Sequence, residues 1–361
     1  MQVETPLTSD GAGTLSRQHS SRKRISFPVV FLLTVSLLAI TYFALVTIVN
    51  PYGWFPGERF PRVSPNTRGL KLKLLENYQQ SGPVAGLIMG SSRSMKLSPQ
   101  LVQQLTGDRT FNASVFSGGP NDFLAMYRVI RQQGIHPNTL ILALDVVCLG
   151  QDNQPTDDFV SNLTLTSALE GTTPNTARKI WHWLELYKET LRPYHVKDIA
   201  LSIWIKLRPR VPVHKFGPDG LLDYQVWDQQ IRSGTYPRQK QLEACNNRWI
   251  DGLNISEPVS PELRNDLEQL VVETKRDNVA LVLWITPMHP DLLARISQDP
   301  KAMENVNQYR LQLLEIATKH GLAIKDLTDI RSYGGHSEGW YDCVHYDESD
   351  AARITRTILT P

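Results

Sequence analysis

The run Phe27–Val49 constrains this chain more than any other feature, because it holds 23 residues without a single charge. As a helix rising about 1.5 Å per residue it reaches about 35 Å, enough to cross a hydrocarbon core of about 30 Å. A core helix of that length would carry an amphipathic stripe, and none is visible. A cleaved signal peptide has an apolar region of only about 7–15 residues and a small-x-small site. This run instead ends in Asn50-Pro51-Tyr52-Gly53-Trp54, whose rings suit a membrane interface. A single retained transmembrane anchor, 27–49, is therefore expected. Arg17, Arg22, Lys23 and Arg24 precede it and predict a cytoplasmic N-terminus, which puts everything after Asn50 outside the cytoplasm. Residues 1–26, rich in Ser, Thr, Gly and Gln, read as a disordered cytoplasmic tail, and 50–84 as a linker and entry segment.

The remainder is long enough for a sizeable core, since 41% of the 361 residues are hydrophobic. A net charge of +2 gives no general electrostatic case for nucleic acid. Cys148, Cys245 and Cys343 are odd in number and lack metal-ligand spacing, so neither metal nor cofactor is expected. Cys343 reads as a buried, inert thiol.

Past the anchor, strand-like and helix-like segments alternate. Ala85–Met89 is the first expected strand, followed by a helix capped by Ser98 with Pro99 in its first turn. Thr110–Val115 reads as a strand, Asn121–Gln133 as a helix ending before Gly134, and Thr139–Leu144 as a third buried strand. From about Gly150 to Val259 the alternation breaks into an insertion or cap with helix-prone stretches Ala177–Leu191 and Lys197–Leu207 and a turn-rich section near Gly217. It resumes with a helix over Pro261–Lys275, a strand over Ala280–Ile285, a helix over Ala302–Lys319 and a strand over Ala323–Leu327. A last helix spans Glu348–Leu359. Apolar strands joined by crossover helices imply an α/β fold, a parallel sheet covered on both faces, with functional groups gathered at the carboxyl ends of the strands.

Two short stretches reach that edge from opposite ends of the chain: Gly90-Ser91-Ser92-Arg93 and Asp342-Cys343-Val344-His345. A serine hydroxyl is too weakly acidic to attack an acyl carbon at neutral pH. It needs an imidazole to take its proton and a carboxylate to hold that imidazole in one tautomer. Asp-x-x-His offers both. Gly118 and Gly119 follow the second strand, Asp145 the third and His289 the fourth.

Strand–Gly-x-Ser, then Asn112-Ala113-Ser114…Ser117-Gly118, then a terminal Asp-x-x-His resembles the SGNH/GDSL hydrolase superfamily. In particular it resembles the membrane-anchored cell-envelope branch that includes alginate O-acetylation and teichoic-acid D-alanyl-transfer proteins. The likeness covers roughly 86–145 and 278–359 and leaves out the insertion. It implies a flavodoxin-like three-layer αβα sheet spanning 85–361, with the insertion at 150–259. It also implies Ser92 as nucleophile, His345 as general base and acid, Asp342 as its orienting partner, and an oxyanion hole from the backbone N–H groups of Ser92 and of Gly118 or Gly119. Ser91 stands where the family has aspartate. Asp145-Val146-Val147 stands where it has Gly-x-Asn-Asp, while a literal Gly119-Pro120-Asn121-Asp122 opens a helix and reads as its cap.

The resemblance implies a membrane-anchored serine esterase or O-acyltransferase acting on an acylated cell-envelope glycan, with that glycan or an acyl-donor protein as partner. The alternative is a non-catalytic protein of the same fold that binds a glycan or a partner in an envelope assembly. Arg93 either binds an anionic group beside the serine or pairs with an acidic side chain. Asp145 and His289 lie on the correct edge to touch substrate, and a structural loop role is the other reading for His289. Asp347 and Asp350 favour the last helix's N-terminus electrostatically. Trp181, Trp183, Tyr187, Tyr194 and Trp204 of the insertion suit either sugar stacking or packing onto the core or a membrane surface.

Overall fold

The computed structural model describes residues 26–55, 59–63, 67–150, 155–208, 215–223, 225–255 and 259–360. The expected N-terminal tail and its basic cluster, up to residue 25, lie outside the described residues. The chain divides into two units, 1–45 and 46–361. The helix Phe27–Val49, most of which lies in the first, starts where the uncharged run starts and is long and apolar enough to cross a membrane. It exposes its side chains from Phe27 to Thr41, with Val46 and Val49 buried at its end.

The second unit is built on one parallel sheet. Its strands are β1 (Gly86–Met89), β2 (Thr110–Asn112), β3 (Thr139–Leu144), β6 (Ala280–Ile285) and β7 (Ile324–Asp326); β4 (Lys215–Phe216) and β5 (Leu222–Asp223) form a separate antiparallel pair. The order is β2-β1-β3-β6-β7, parallel throughout. The chain thus runs outward from β1 to β2, then returns across β1 to β3. In doubly wound sheets that switch point is where ligands bind, outside the strands' carboxyl ends.

Because side chains alternate across a strand, each apolar run supplies both faces. Leu87, Met89, Leu140, Leu142, Leu144, Leu283 and Ile285 pack with residues of the helices Pro120–Gln132, Pro261–Arg276 and Pro300–Lys319. Ile88, Ile141, Ala143 and Trp284 pack with residues of Pro99–Thr106 and Glu348–Leu359. The expected α/β architecture, with helices on both faces of a parallel sheet, is what the chain adopts. β2 runs only to Asn112, short of the expected Val115, although Ala113 N–H (2.8 Å) and Val115 N–H (3.0 Å) continue to donate to Ile88 O and Gly90 O of β1 and its exit. The Asn112 side chain accepts the Ser114 N–H (3.0 Å).

Two segments are more integral than the sequence suggests. Within 50–84, read as linker, the helix Thr67–Gln80 buries Arg68 and Lys71; Arg68 forks onto Asp122 (2.6 and 2.8 Å), which itself caps the helix Pro120–Gln132. The insertion is likewise no detached cap. Its β4–β5 turn meets the end of β2, where Asn112 N–H donates to Asp219 O (2.9 Å), and Leu222 N–H donates to Met95 O (3.1 Å). Lys71 Nζ, fully buried, donates to the carbonyls of Asn112 (2.7 Å) and Gly220. Burial pushes its ammonium well below its ordinary value, and Asp219 opposes the shift.

Candidate active site

At the end of β1 the chain must turn beneath β3. A Cβ on Gly90 would lie 2.7 Å from Ala143 Cβ and 2.3 Å from Ser94 Oγ, so only glycine fits. Ser91 then caps a single 3₁₀ turn, Ser92–Ser94, its Oγ accepting from Arg93 N–H (3.3 Å). The segment after β2 holds this turn. Asn112 Nδ2 donates to Ser94 O (2.9 Å) and Leu97 O (3.0 Å), and Ser94 Oγ donates to Ser114 Oγ (2.8 Å). Gly118 abuts the same turn, since a Cβ there would sit 2.7 Å from Gly90 O. Asn112 and Ser114 belong to the second block seen in the sequence, but their support of the Ser92 turn carries no sequence signal of its own.

The Asp-x-x-His spacing has a local cause. Asp342 Oδ1 accepts the N–H groups of Val344 (2.9 Å) and His345 (2.8 Å), which curls the segment so that the imidazole returns over the carboxylate. Tyr341 N–H closes the loop onto His345 O (2.8 Å). Asp342 Oδ2 then lies 2.8 Å from His345 Nδ1, and His345 Nε2 lies 2.8 Å from Ser92 Oγ. With Nδ1–H donating to the carboxylate, the neutral imidazole leaves Nε2 as acceptor for the serine hydroxyl. Burial works against the charged form of Asp342. The His345 charge and hydrogen bond and the two backbone donors outweigh it, and the carboxyl titrates below its ordinary value. All three side chains are half-buried.

Cys343, expected to be an inert thiol, is instead bonded to Cys245 of the insertion helix Arg238–Ile255, 98 residues away in sequence. The bond fixes the loop between Asp342 and His345. Cysteine count and spacing do not specify which pair forms. Cys148 is the free, buried cysteine.

The expected oxyanion donors separate. Gly118 N–H donates to Val115 O (3.2 Å), and Gly119 N–H to Asp122 Oδ2 (3.1 Å), the reciprocal arm of a helix cap. Neither glycine has an N–H to spare in this arrangement. Ser92 N–H donates to no protein acceptor among the described residues. The helix-cap reading of Gly119–Asp122 agrees with this geometry.

The proposed substrate contacts also turn inward. Arg93 is buried, donates to Thr286 Oγ1 (2.9 Å), lies 3.5 Å from Asp145 Oδ1 and has its guanidinium 4.7 Å from the Trp249 ring centroid. Thr286 Oγ1 donates in turn to Asp145 (2.8 Å). Arg93 and Asp145 thus tie the Ser92 turn to β3, β6 and the insertion, the carboxylate offsetting the buried guanidinium charge, while Arg93 Nη2 has no hydrogen-bond partner among the described residues. His289 caps the helix Pro290–Gln298 by accepting Asp291 N–H (3.1 Å), and its own N–H donates to Cys343 O (2.9 Å). Burial pushes its imidazole down, with Asp291 opposing. It is a structural neighbour of the His345 loop. Asp347 caps the last helix as expected, accepting Asp350 N–H (2.9 Å). Asp350 additionally accepts from Trp340 Nε1 (2.7 Å) and His336 N–H (3.1 Å), bracing the approach to Asp342.

Three aromatics that the sequence did not single out surround the loop. Tyr236 Oη donates to Tyr341 O (3.1 Å), and the Trp227 ring lies 5.5 Å from that of Tyr341. Burial, then the nearby Asp342 charge, pushes the Tyr236 hydroxyl up to about 12. The aromatics named in the sequence, among them Trp181 and Trp204, sit elsewhere, on the helices Thr176–Thr190 and Pro193–Leu207. Among the described residues, no group of three or more His, Cys, Asp or Glu side chains is placed to hold a metal. No family model matches the chain, and no curated protein matches it.

Proposed function

We propose that this chain is a serine hydrolase or acyltransferase of SGNH type, held to a membrane by Phe27–Val49 and facing away from the cytoplasm. Its particular task, on this reading, is to cleave or transfer an acyl ester of a cell-envelope glycan. The observation that carries it is the unbroken chain of 2.8 Å contacts from Ser92 Oγ through His345 to Asp342. Ser92 Oγ attacks the acyl carbonyl while Nε2 takes its proton. Ser92 N–H faces the developing oxyanion, and the imidazolium then protonates the departing sugar oxygen. Water, or a second sugar hydroxyl, releases the acyl group from Ser92 by the reverse path. The Cys245–Cys343 bond is consistent with an oxidising compartment beyond the membrane. The envelope glycan and an acyl-donor partner rest on the family resemblance.

Ester hydrolysis by the full chain in detergent, with p-nitrophenyl acetate and an acetylated polysaccharide, tests this reading. Ser92→Ala and His345→Ala are expected to lose at least about 10³-fold in kcat/KM. Equal rates in all three proteins would sink it.

One observation favours a second reading, a non-catalytic member of the fold that binds a glycan or an envelope partner. Both glycine N–H groups are already engaged, leaving Ser92 N–H as the uncommitted backbone donor. Losing one oxyanion donor typically costs about 10²–10³ in rate. Glycan binding that survives Ser92→Ala, with a wild-type hydrolysis rate at the buffer background, would select this second reading.

A further inference from the structure

The insertion helices Thr176–Thr190 and Pro193–Leu207 each carry an inner face that makes contacts within the described residues and an outer, exposed apolar face. The inner faces hold the segment that leaves the apolar helix. Tyr187 Oη lies 3.3 Å from Thr47 Oγ1, the Phe55 ring lies 4.9 Å from that of Tyr187, and Tyr52 Oη bonds to His195 Nδ1 (2.6 Å) and to Asp198. Farther along, Ser202 Oγ donates to Pro61 O, and Lys206 Nζ lies 4.3 Å from the Phe60 ring centroid.

The outer faces repeat at helical spacing. Ala177, Ile180, Trp181, Leu184 and Leu191 follow one another on the first helix and just past its end, and Val196, Ala200, Leu201, Trp204 and Leu207 on the second. They are exposed, Trp181 at 68% and Leu207 at 76%. Single exposed apolar residues are ordinary, but two such stripes on consecutive helices mark a surface that something covers. Residues 176–208 also carry seven Lys or Arg against three Asp or Glu. An apolar stripe bearing tryptophan, flanked by basic side chains, is the composition of a helix lying in the interface of a bilayer with anionic lipid.

We infer that these two helices lie on the lipid surface at the point where the anchor leaves it, their outer stripes sunk into the headgroup region of an anionic bilayer. The occupant follows from chain continuity. The inner faces grip Thr47 in the last turn of a helix of membrane-spanning length and Tyr52, Phe55, Phe60 and Pro61 just past its end, and this holds the stripes at bilayer level. The inference rests on reading Phe27–Val49 as the anchor. It gives the anchored domain a second foothold, which fixes the orientation of the Ser92 edge to the membrane instead of leaving it on a tether.

The full chain in nanodiscs of phosphatidylcholine and phosphatidylglycerol, carrying a nitroxide at Trp181→Cys, Leu184→Cys or Trp204→Cys, tests the inference by the ratio of collision with oxygen to collision with a water-soluble nickel chelate. Leu38→Cys reports the anchor, and Leu311→Cys, at an exposed position of the helix Pro300–Lys319, reports water. The expected ratios at 181, 184 and 204 are several-fold above that at 311 and below that at 38. Lipid-like values at 38 with water-like values at 181, 184 and 204 would overturn the inference and leave the anchor intact. A water-like value at 38 would overturn the anchor reading and this one with it. Spin–spin broadening at 181 and 204 that disappears on dilution with unlabelled chain would show a second copy on the stripes and overturn the lipid assignment.

Discussion

The two halves of the insertion use the same kinds of residue to opposite ends. In the helices Thr176–Thr190 and Pro193–Leu207, tryptophan and leucine point outward beside the exit of the apolar helix, and the charge balance is basic. In Gln225–Arg232 and Arg238–Ile255, Trp227 packs on Tyr341, Trp249 lies against the buried Arg93, and Cys245 is bonded into the His345 loop. An aromatic-rich stretch therefore has no fixed meaning by composition. Its role comes from where the chain carries it, to the segment that follows the apolar helix in one half and to the carboxyl edge of the sheet in the other. The first half bears on where the protein sits, and the second on whether the three side chains meet.

If that division is right, damage on the triad side should register in rate and stability, and damage on the membrane side in neither. The largest effect is expected from Asp342→Asn, at about 10⁴-fold in kcat, because an amide no longer favours the Nδ1–H tautomer. The same variant reports on pH. The Asp342 carboxyl is held below its ordinary value in the folded state, so its stabilisation is complete above the unfolded value of about 3.9 and disappears as pH falls through the lower folded value. The melting-temperature gap between wild type and Asp342→Asn is therefore expected to be wider near neutral pH than near pH ~3. A gap that widens on acidification would contradict the assignment.

Next in size is Cys245→Ala. The bond joins residues 98 apart, and its loss is expected to lower unfolding stability by about 2–5 kcal/mol and to release the loop that holds His345. Denaturant midpoints and ester turnover before and after reduction check both consequences. Reduced protein with full activity would show that the loop keeps its geometry without the bond. The smallest change belongs to the membrane side: Trp181→Gln, at an exposed site, is expected to move the unfolding free energy in detergent by no more than about 0.5 kcal/mol. A loss of several times that would place Trp181 in the core economy of the domain and erase the contrast.

Much of this was legible in the sequence where physical periods are strong. The bounds of Phe27–Val49, Thr139–Leu144, Ala280–Ile285 and Glu348–Leu359 follow from charge-free runs, buried-strand runs and an Asp347 cap. The meeting of Ser92 with Asp342 and His345 followed from parallel topology, which sends every strand's carboxyl end to one edge. What stayed hidden depends on contacts between distant segments. Nothing at Cys245 announces Cys343, and nothing at Arg93 announces Asp145 and Thr286. The family resemblance gives Gly118 or Gly119 N–H to an oxyanion, yet Val115 O takes the first through a turn and Asp122 takes the second through a helix cap. Residues 50–84 read as a linker because the burial of Arg68 and Lys71 depends on Asp122 and on carbonyls of Asn112 and Gly220, none of which is local.

The central claim, that His345 and Asp342 make Ser92 a nucleophile, is tested most directly by covalent labelling of the intact chain with a fluorophosphonate, followed by mass analysis of the modified peptide. The account predicts one adduct, on Ser92, formed at least about 10²-fold faster in wild type than in His345→Ala and absent from Ser92→Ala. Labelling of wild type no faster than of His345→Ala would contradict it.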